Sequence, residues 1–201
     1  MVVALLPQEA VRVDVAFYDD TERDKLLRYS TAEKMRQLVE KPLDVPIAEF
    51  LTYYLFHRRR PGMPGYRSYQ EIGAKLGVAL ATLDGCITFN GHSIHTADGV
   101  VRQLTEISEH VGEAIGLSVV GRIHGLTEAD WNGIPQQGGR NAAPTFDYQL
   151  ASDGDAFVQV ENKGSAVDDN RRRDERVREQ YRKIVAKKTK LDTLGKDGRD
   201  P

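Results

Sequence analysis

Residues 97–201 predict an α/β unit, and the residues before them predict a mainly helical region with one strand. Three patterns carry this. On either side of the turn signal Ser152-Asp153-Gly154-Asp155, apolar and polar residues alternate with the period of a strand. Residues 99–115 repeat apolar residues at helical spacing, and residues 168–190 form a second helical pattern rich in arginine and lysine.

In chain order, Val11, Val13, Val15 and Phe17 alternate with Arg12, Asp14 and Ala16 and read as a strand. Residues 21–40 and 46–56 read as helices, the second rich in Leu51, Tyr53, Tyr54, Leu55 and Phe56, which suit a core better than a platform for stacking bases. A basic loop follows around Pro61 and Pro64. Residues 68–87 read as two short helices, with Ile72, Leu76, Val78, Leu83 and Ile87 at core spacings and Gly77 at the turn between them. These patterns divide the chain into residues 1–65, 66–96 and 97–201.

In the last unit, Val100, Val101, Leu104, Ile107, Val111, Ala114 and Ile115 make one apolar helix face, Gly116 is the expected stop, and residues 117–123 are the expected first strand. A long loop with Trp131, Pro135 and the pair Gly138-Gly139 precedes the hairpin. There Phe146, Tyr148 and Leu150 alternate with Asp147 and Gln149, and Val158 and Val160 alternate with Phe157, Gln159, Glu161 and Lys163.

Composition fits an intracellular protein. The chain has 201 residues, 40% of them hydrophobic, enough for one good core or two small ones. A single cysteine, Cys86, rules out a disulfide framework and suits a reducing cytoplasm. No apolar run reaches the length of a membrane span, and the first ten residues lack the basic start and long apolar stretch of a signal peptide, so a cytoplasmic location is expected. The net charge of −2 is unevenly spread: from residue 166 onward there are 12 Lys or Arg against 8 Asp or Glu, leaving 16 against 22 in the rest. His57, His92, His95, His110 and His124 show no metal-ligand spacing.

The chemistry-bearing set is Asp147, Glu161 and Lys163. Side chains along a strand alternate faces, so Asp147 can share one face of the hairpin with Glu161 and Lys163 while the other face packs into a core. Two carboxylates are hard oxygen ligands of the kind Mg²⁺ takes, and a lysine beside them offers charge and a proton site for an attacking water. An ordinary hairpin with a solvated face is the plain alternative.

At these residues the chain resembles the PD-(D/E)xK nuclease superfamily, whose restriction-endonuclease-like fold is a mixed sheet flanked by helices. The resemblance covers about the second half of the chain. It implies Mg²⁺ (or Mn²⁺) held by Asp147 and Glu161, a further ligand in the carbonyl of Asn162, and Lys163 orienting or activating the water. Relatives of this kind also bring a glutamate from the first helix toward the metal. Glu106, Glu109 and Glu113 are available, with Glu106 the choice, although helical spacing sets all three away from the apolar face. Two departures stand out. The proline is Pro144, three residues before the aspartate instead of adjacent to it, and no strand-like segment follows the last helix, so the chain is shortened or another segment or subunit completes the sheet.

The implied activity is Mg²⁺-dependent endonucleolytic hydrolysis of double-stranded DNA, as in restriction or another defence against foreign DNA, with a homodimer expected because cutting both strands takes two sites. Phosphate or base contacts are expected from Arg140 and Asn141 in the loop before the hairpin and from Arg171, Arg172, Arg173 and Arg176 at the start of the basic helix. The segment from Ser68 to Ile87 looks like a helix-turn-helix, which implies DNA contact through Thr82 and, just upstream, Arg67. Two rivals follow: a non-catalytic helix-turn-helix regulator that binds DNA, and an effector that cleaves RNA.

Overall fold

The computed structural model describes residues 10–56, 69–90, 92–97, 104–127, 132–133, 148–152, 157–160, 163–164 and 175–196. Among them are six helices and three small antiparallel sheets, a mixed α/β architecture.

The first sheet pairs β1 (Ala10–Val13) with β2 (Leu43–Pro46). Val11 lies opposite Val45, and both are buried in the core. One residue along, the register sets Arg12 opposite Asp44, where they form an exposed ion pair of 3.1 Å on the other face. The expected strand is therefore present but ends at Val13. Period-two alternation has produced a sheet with one apolar and one charged side.

The single helix expected over residues 21–40 is two, α1 (Asp20–Leu26) and α2 (Ala32–Glu40). Asp19 caps α1 by accepting the Glu22 amide at 2.8 Å. The interruption falls at Ser30 and Thr31, poor helix formers whose side chains compete for backbone groups. Neither helix buries a residue, so no packing enforces continuity across the break. By contrast α3 (Ile47–Phe56) forms as expected and buries Phe50, Tyr53 and Tyr54 at helical spacing.

The helix-turn-helix expectation is corrected. Residues 69–86 form one unbroken helix, α4 (Tyr69–Cys86), and Gly77 sits inside it with open space where a side chain would be. A glycine in a helix interior costs only about 1 kcal/mol relative to alanine, too little to break a run carrying Ala74, Leu76, Ala79, Leu80 and Ala81. Val78, expected in the core of that unit, is 68% exposed, whereas Leu83 is fully buried. Ile87 leaves the helix and starts a hairpin of β3 (Ile87–Asn90) and β4 (Ser93–Thr96), so His92 and His95 belong to a hairpin and not to an irregular loop. The Arg12 amide donates to the His92 carbonyl at 2.8 Å, which ties this hairpin to β1.

A second correction concerns the first strand of the second half. Helix α5 (Leu104–His124) runs through Gly116 and takes in all of residues 117–123. Ile107, Ala114, Leu117, Ser118 and Gly121 are buried with helical periodicity, which outweighs the β-branched character of Val119, Val120 and Ile123. The stop is Gly125, whose φ of 73° is the left-handed cap, with the Leu126 amide returning to the Gly121 carbonyl at 2.9 Å. Gly121 is needed for its size: a Cβ there would sit 2.9 Å from the Leu126 carbonyl oxygen.

The predicted hairpin is present. β6 (Tyr148–Ser152) pairs antiparallel with β7 (Phe157–Val160), and β5 (Asn132–Gly133) adds to the other edge of β6, giving the order β5-β6-β7. Helix α6 (Glu175–Lys196) follows. Among the described residues the succession is helix, three strands, helix, β5 having only two residues. One apolar cluster, running from Val11 to Val160, joins β1, β2, α3, α4, β3, α5 and β7.

Candidate functional site

The site expected from the sequence is bounded by the β6–β7 register. Tyr148 and Val160 are Cα partners, as are Gln149 and Gln159, and a register shift follows toward Ser152 and Phe157. Val160 is buried in the core, which anchors that end of β7. Asp147, Glu161 and Asn162 lie outside the described residues, one or two positions beyond this pair.

Lys163 is described and exposed. Gly164 beside it is buried against α5: a Cβ on Gly164 would collide with the Ser108 carbonyl and come within 2.9 Å of the Glu109 Cα. From the other side, a Cβ on Gly112 would collide with the Gly164 Cα and stand 2.9 Å from its amide nitrogen. Two glycines thus let the chain just after Lys163 lie directly on the helix backbone between Ser108 and Gly112. Such an approach admits no side chain at either position.

Helix α5 therefore passes directly beside Gly164. Glu109 is exposed, as expected, but Glu113 is 7% exposed, which corrects the expectation that all three glutamates face solvent. The reason is that α5 is packed on more than its apolar stripe: α3, α4 and β2 contact it as well as Gly164. Glu106 lies in the first turn of α5, and its side chain is outside the described set. His110, one turn before Glu113, meets the Tyr54 ring edge-on, with centroids 5.9 Å apart. Among the described residues, no three of His, Cys, Asp and Glu gather closely enough to hold a metal ion.

Of the expected DNA contacts, Arg67, Arg140, Asn141, Arg171, Arg172 and Arg173 lie outside the described residues. Thr82 is exposed on α4, but its hydroxyl donates to the Val78 carbonyl at 2.9 Å, and no separate recognition helix exists to present it. Arg176 is exposed in the first turn of α6. Further along that helix, Glu175 pairs with Arg178 at 3.7 Å and Arg182 at 3.6 Å, and Glu179 pairs with Lys183 at 2.8 Å. The hydrogen bond from Lys183 holds the Glu179 carboxyl below its ordinary range. Acidic and basic side chains thus pair with one another along α6.

Tyr181 of α6 stacks on Tyr18, with centroids 3.7 Å apart and planes inclined by 8°. Loss of solvent raises the Tyr181 hydroxyl above its usual pKa, and the negative charges of Glu22 and Asp19 act in the same direction. The sequence gives no hint of this contact, since an isolated Tyr18 after a strand has no pattern. The glycines at 112 and 164 left a weak signal, each interrupting an otherwise regular stretch. A separate cleft of about 450 Å³ opens where α5 ends, lined by Glu49, Tyr53, Arg122 and Leu126 among others, and Arg122 bridges it to Glu49 at 2.8 Å.

No family model matches the chain, and neither a curated protein nor a solved structure is significantly similar to it. Among the described residues no helix is long and apolar enough to cross a membrane.

Proposed function

We propose that this protein is a Mg²⁺- or Mn²⁺-dependent endonuclease of the restriction-endonuclease-like kind, cutting double-stranded DNA in the cytoplasm as a homodimer in defence against foreign DNA. The observation that carries the reading is the pairing of Tyr148 with Val160. Asp147 and Glu161 are their chain neighbours, each one residue beyond this pair. In the proposal the register runs one step further. Asp147 is then opposite Glu161, their side chains share the face away from buried Val160, and Lys163 returns to that same face.

Two carboxylates and the Asn162 carbonyl are the hard oxygen donors that Mg²⁺ accepts, so the donor set fits the ion. Bound there, the metal would supply positive charge against the developing phosphorane. Asp147 and Glu161 hold the site together against the repulsion of substrate phosphate. Lys163 would orient the attacking water or, as the neutral amine, take up its proton as the new P–O bond forms; the opposite P–O bond breaks and the leaving oxygen is protonated by solvent. The Gly112–Gly164 contact supports this role for Lys163 by fixing the chain beside it to α5. Glu106 stands one turn before Glu109, and i,i+3 neighbours share a helix side, which keeps it as the proposed glutamate from the helix.

The order helix, three strands, helix also agrees with the reading. The regulator alternative loses its basis with the continuous α4. Incubation with mixed DNA, with and without magnesium, followed by end-sequencing of the products, tests the proposal. Fragments with defined ends only when magnesium is present support it. Intact DNA, or cleavage of RNA alone in the same buffer, refutes it.

A further inference from the structure

The cleft where α5 ends lies apart from the proposed nuclease centre. Gly164 meets α5 at Ser108 and Gly112, whereas the cleft is lined by Gly121 and Arg122, about 15 Å further along at the helical rise. Its volume of about 450 Å³ falls within the range of about 300–1,000 Å³ in which proteins take small molecules. Its walls belong to the core. Tyr53 of α3 is 2% exposed, Gly121 of α5 is buried, and the left-handed Gly125 turns the chain so that Leu126 and Thr127 also line the space. A Cβ on Gly121 would stand 2.9 Å from the Leu126 carbonyl oxygen and 3.5 Å from the Tyr53 hydroxyl, so this glycine lets the walls meet. The shape is set before any ligand arrives.

The charges of the cleft are paired and yet open to a ligand. Glu49 stands in the first turn of α3 and Arg122 in the last turn of α5, each at the helix end whose dipole favours its sign. Arg122 Nη2 donates to Glu49 Oε2 at 2.8 Å, and among the described residues neither side chain makes another hydrogen bond. A guanidinium has five N–H donors and a carboxylate about four acceptor positions, so most of both remain uncommitted. The Arg122 side chain is 46% exposed and that of Glu49 25%. A simple anion approaching Arg122 has the Glu49 charge against it, and a simple cation approaching Glu49 has that of Arg122. A ligand with both charges on neighbouring atoms meets both partners at once. The rest of it would meet Tyr53 and Leu126, which are apolar apart from the Tyr53 hydroxyl. We infer that the cleft binds a free α-amino acid with an apolar side chain. Its carboxylate sits on Arg122, its ammonium on Glu49 and its side chain against Tyr53 and Leu126. The inference is independent of the nuclease reading, since Glu49 matches the Arg122 charge and leaves a phosphate backbone no net attraction there.

The test is titration of the isotope-labelled full chain with L-phenylalanine, followed by amide shifts in nuclear magnetic resonance, which return both the place and the affinity of binding. Saturable shifts at Gly121, Gly125 and Leu126 are expected. Hydrocinnamate lacks the ammonium and phenethylamine lacks the carboxylate, so each loses a charge-assisted hydrogen bond and should bind the wild type roughly tenfold more weakly or worse. Two variants locate the partners. E49Q should weaken L-phenylalanine to the affinity of hydrocinnamate while leaving hydrocinnamate itself no weaker, and R122Q should do the same relative to phenethylamine. A loosened fold would weaken every ligand alike, and the comparison of the three ligands on the wild type holds even if a variant does not fold. Three results overturn the inference: no saturable shift with L-phenylalanine, shifts confined to residues away from the cleft, or equal affinity for L-phenylalanine and either analogue, which would make the cleft a simple ion or apolar site.

Discussion

Just beyond β7, Gly164 packs on the α5 backbone, and Lys163 beside it is the residue proposed to act on the attacking water. If Lys163 handles the proton of the attacking water, Lys163→Ala should lower the cleavage rate about 10²–10⁴-fold and leave duplex binding nearly intact, a contrast read by gel cleavage and by anisotropy on the same preparation. Loss of both, or of neither, contradicts the role. Gly164→Ala should behave differently, because the added methyl has only backbone atoms of Ser108 and Glu109 to meet. Overpacking of this kind costs about 1–3 kcal/mol, seen as a lower urea midpoint with an unchanged m value. An unchanged midpoint would mean that the chain does not lie on α5. At the far sheet, the Arg12 guanidinium hydrogen-bonds Asp44 and holds its carboxyl below the usual 3.8. A depressed folded pKa gives stability that is present at neutral pH and is lost as pH falls through that folded value. Wild type and Asp44→Asn should therefore differ slightly in urea midpoint at pH 7 and converge near pH 2. A gap that persists at pH 2 would exclude the ion pair as its cause.

At the scale of elements, hydrophobic periodicity was the most legible signal and glycine the most misleading. The hairpin of β6 and β7 could be read because Tyr148, Val158 and Val160 alternate about a clear turn, and α3 because Phe50, Tyr53 and Tyr54 repeat at helical spacing. Gly77 and Gly116 look like stops in sequence, yet both lie within helices, and among the described residues only Gly125 adopts a positive φ. The difference lies in what surrounds them: packing of Leu117, Ser118 and Gly121 pulls α5 past Gly116, and good helix formers carry α4 past Gly77. Gly77→Ala tests this directly. In a continuous helix with open space at that position it should stabilise the protein by about 1 kcal/mol, a rise of a few degrees in Tm. A tight turn at Gly77 would instead make the variant less stable. Pairing partners such as Tyr18 with Tyr181 were not legible, because a stacking contact between distant segments leaves no local period in either.

Across the whole molecule, α5 connects the regions that the sequence divides. Its buried residues share the core with α3 and α4, its Ser108–Gly112 backbone receives Gly164, and its Gly125 cap closes against Leu126. Val160, at the end of β7, belongs to that same core. The core fixes the Val160 end of β7, and a metal site placed just beyond it would inherit that rigidity. In the proposed nuclease, Asp147 and Glu161 hold one divalent ion between them. The most direct measurement is titration of the metal-free protein with Mn²⁺, followed by electron paramagnetic resonance, for wild type, Asp147→Asn and Glu161→Gln. One bound ion per chain in wild type, with affinity falling roughly tenfold or more in each single variant and no further in the double variant, is the expected result. Undiminished Mn²⁺ binding in either single variant, or losses that simply add in the double, would show that the two carboxylates do not share an ion.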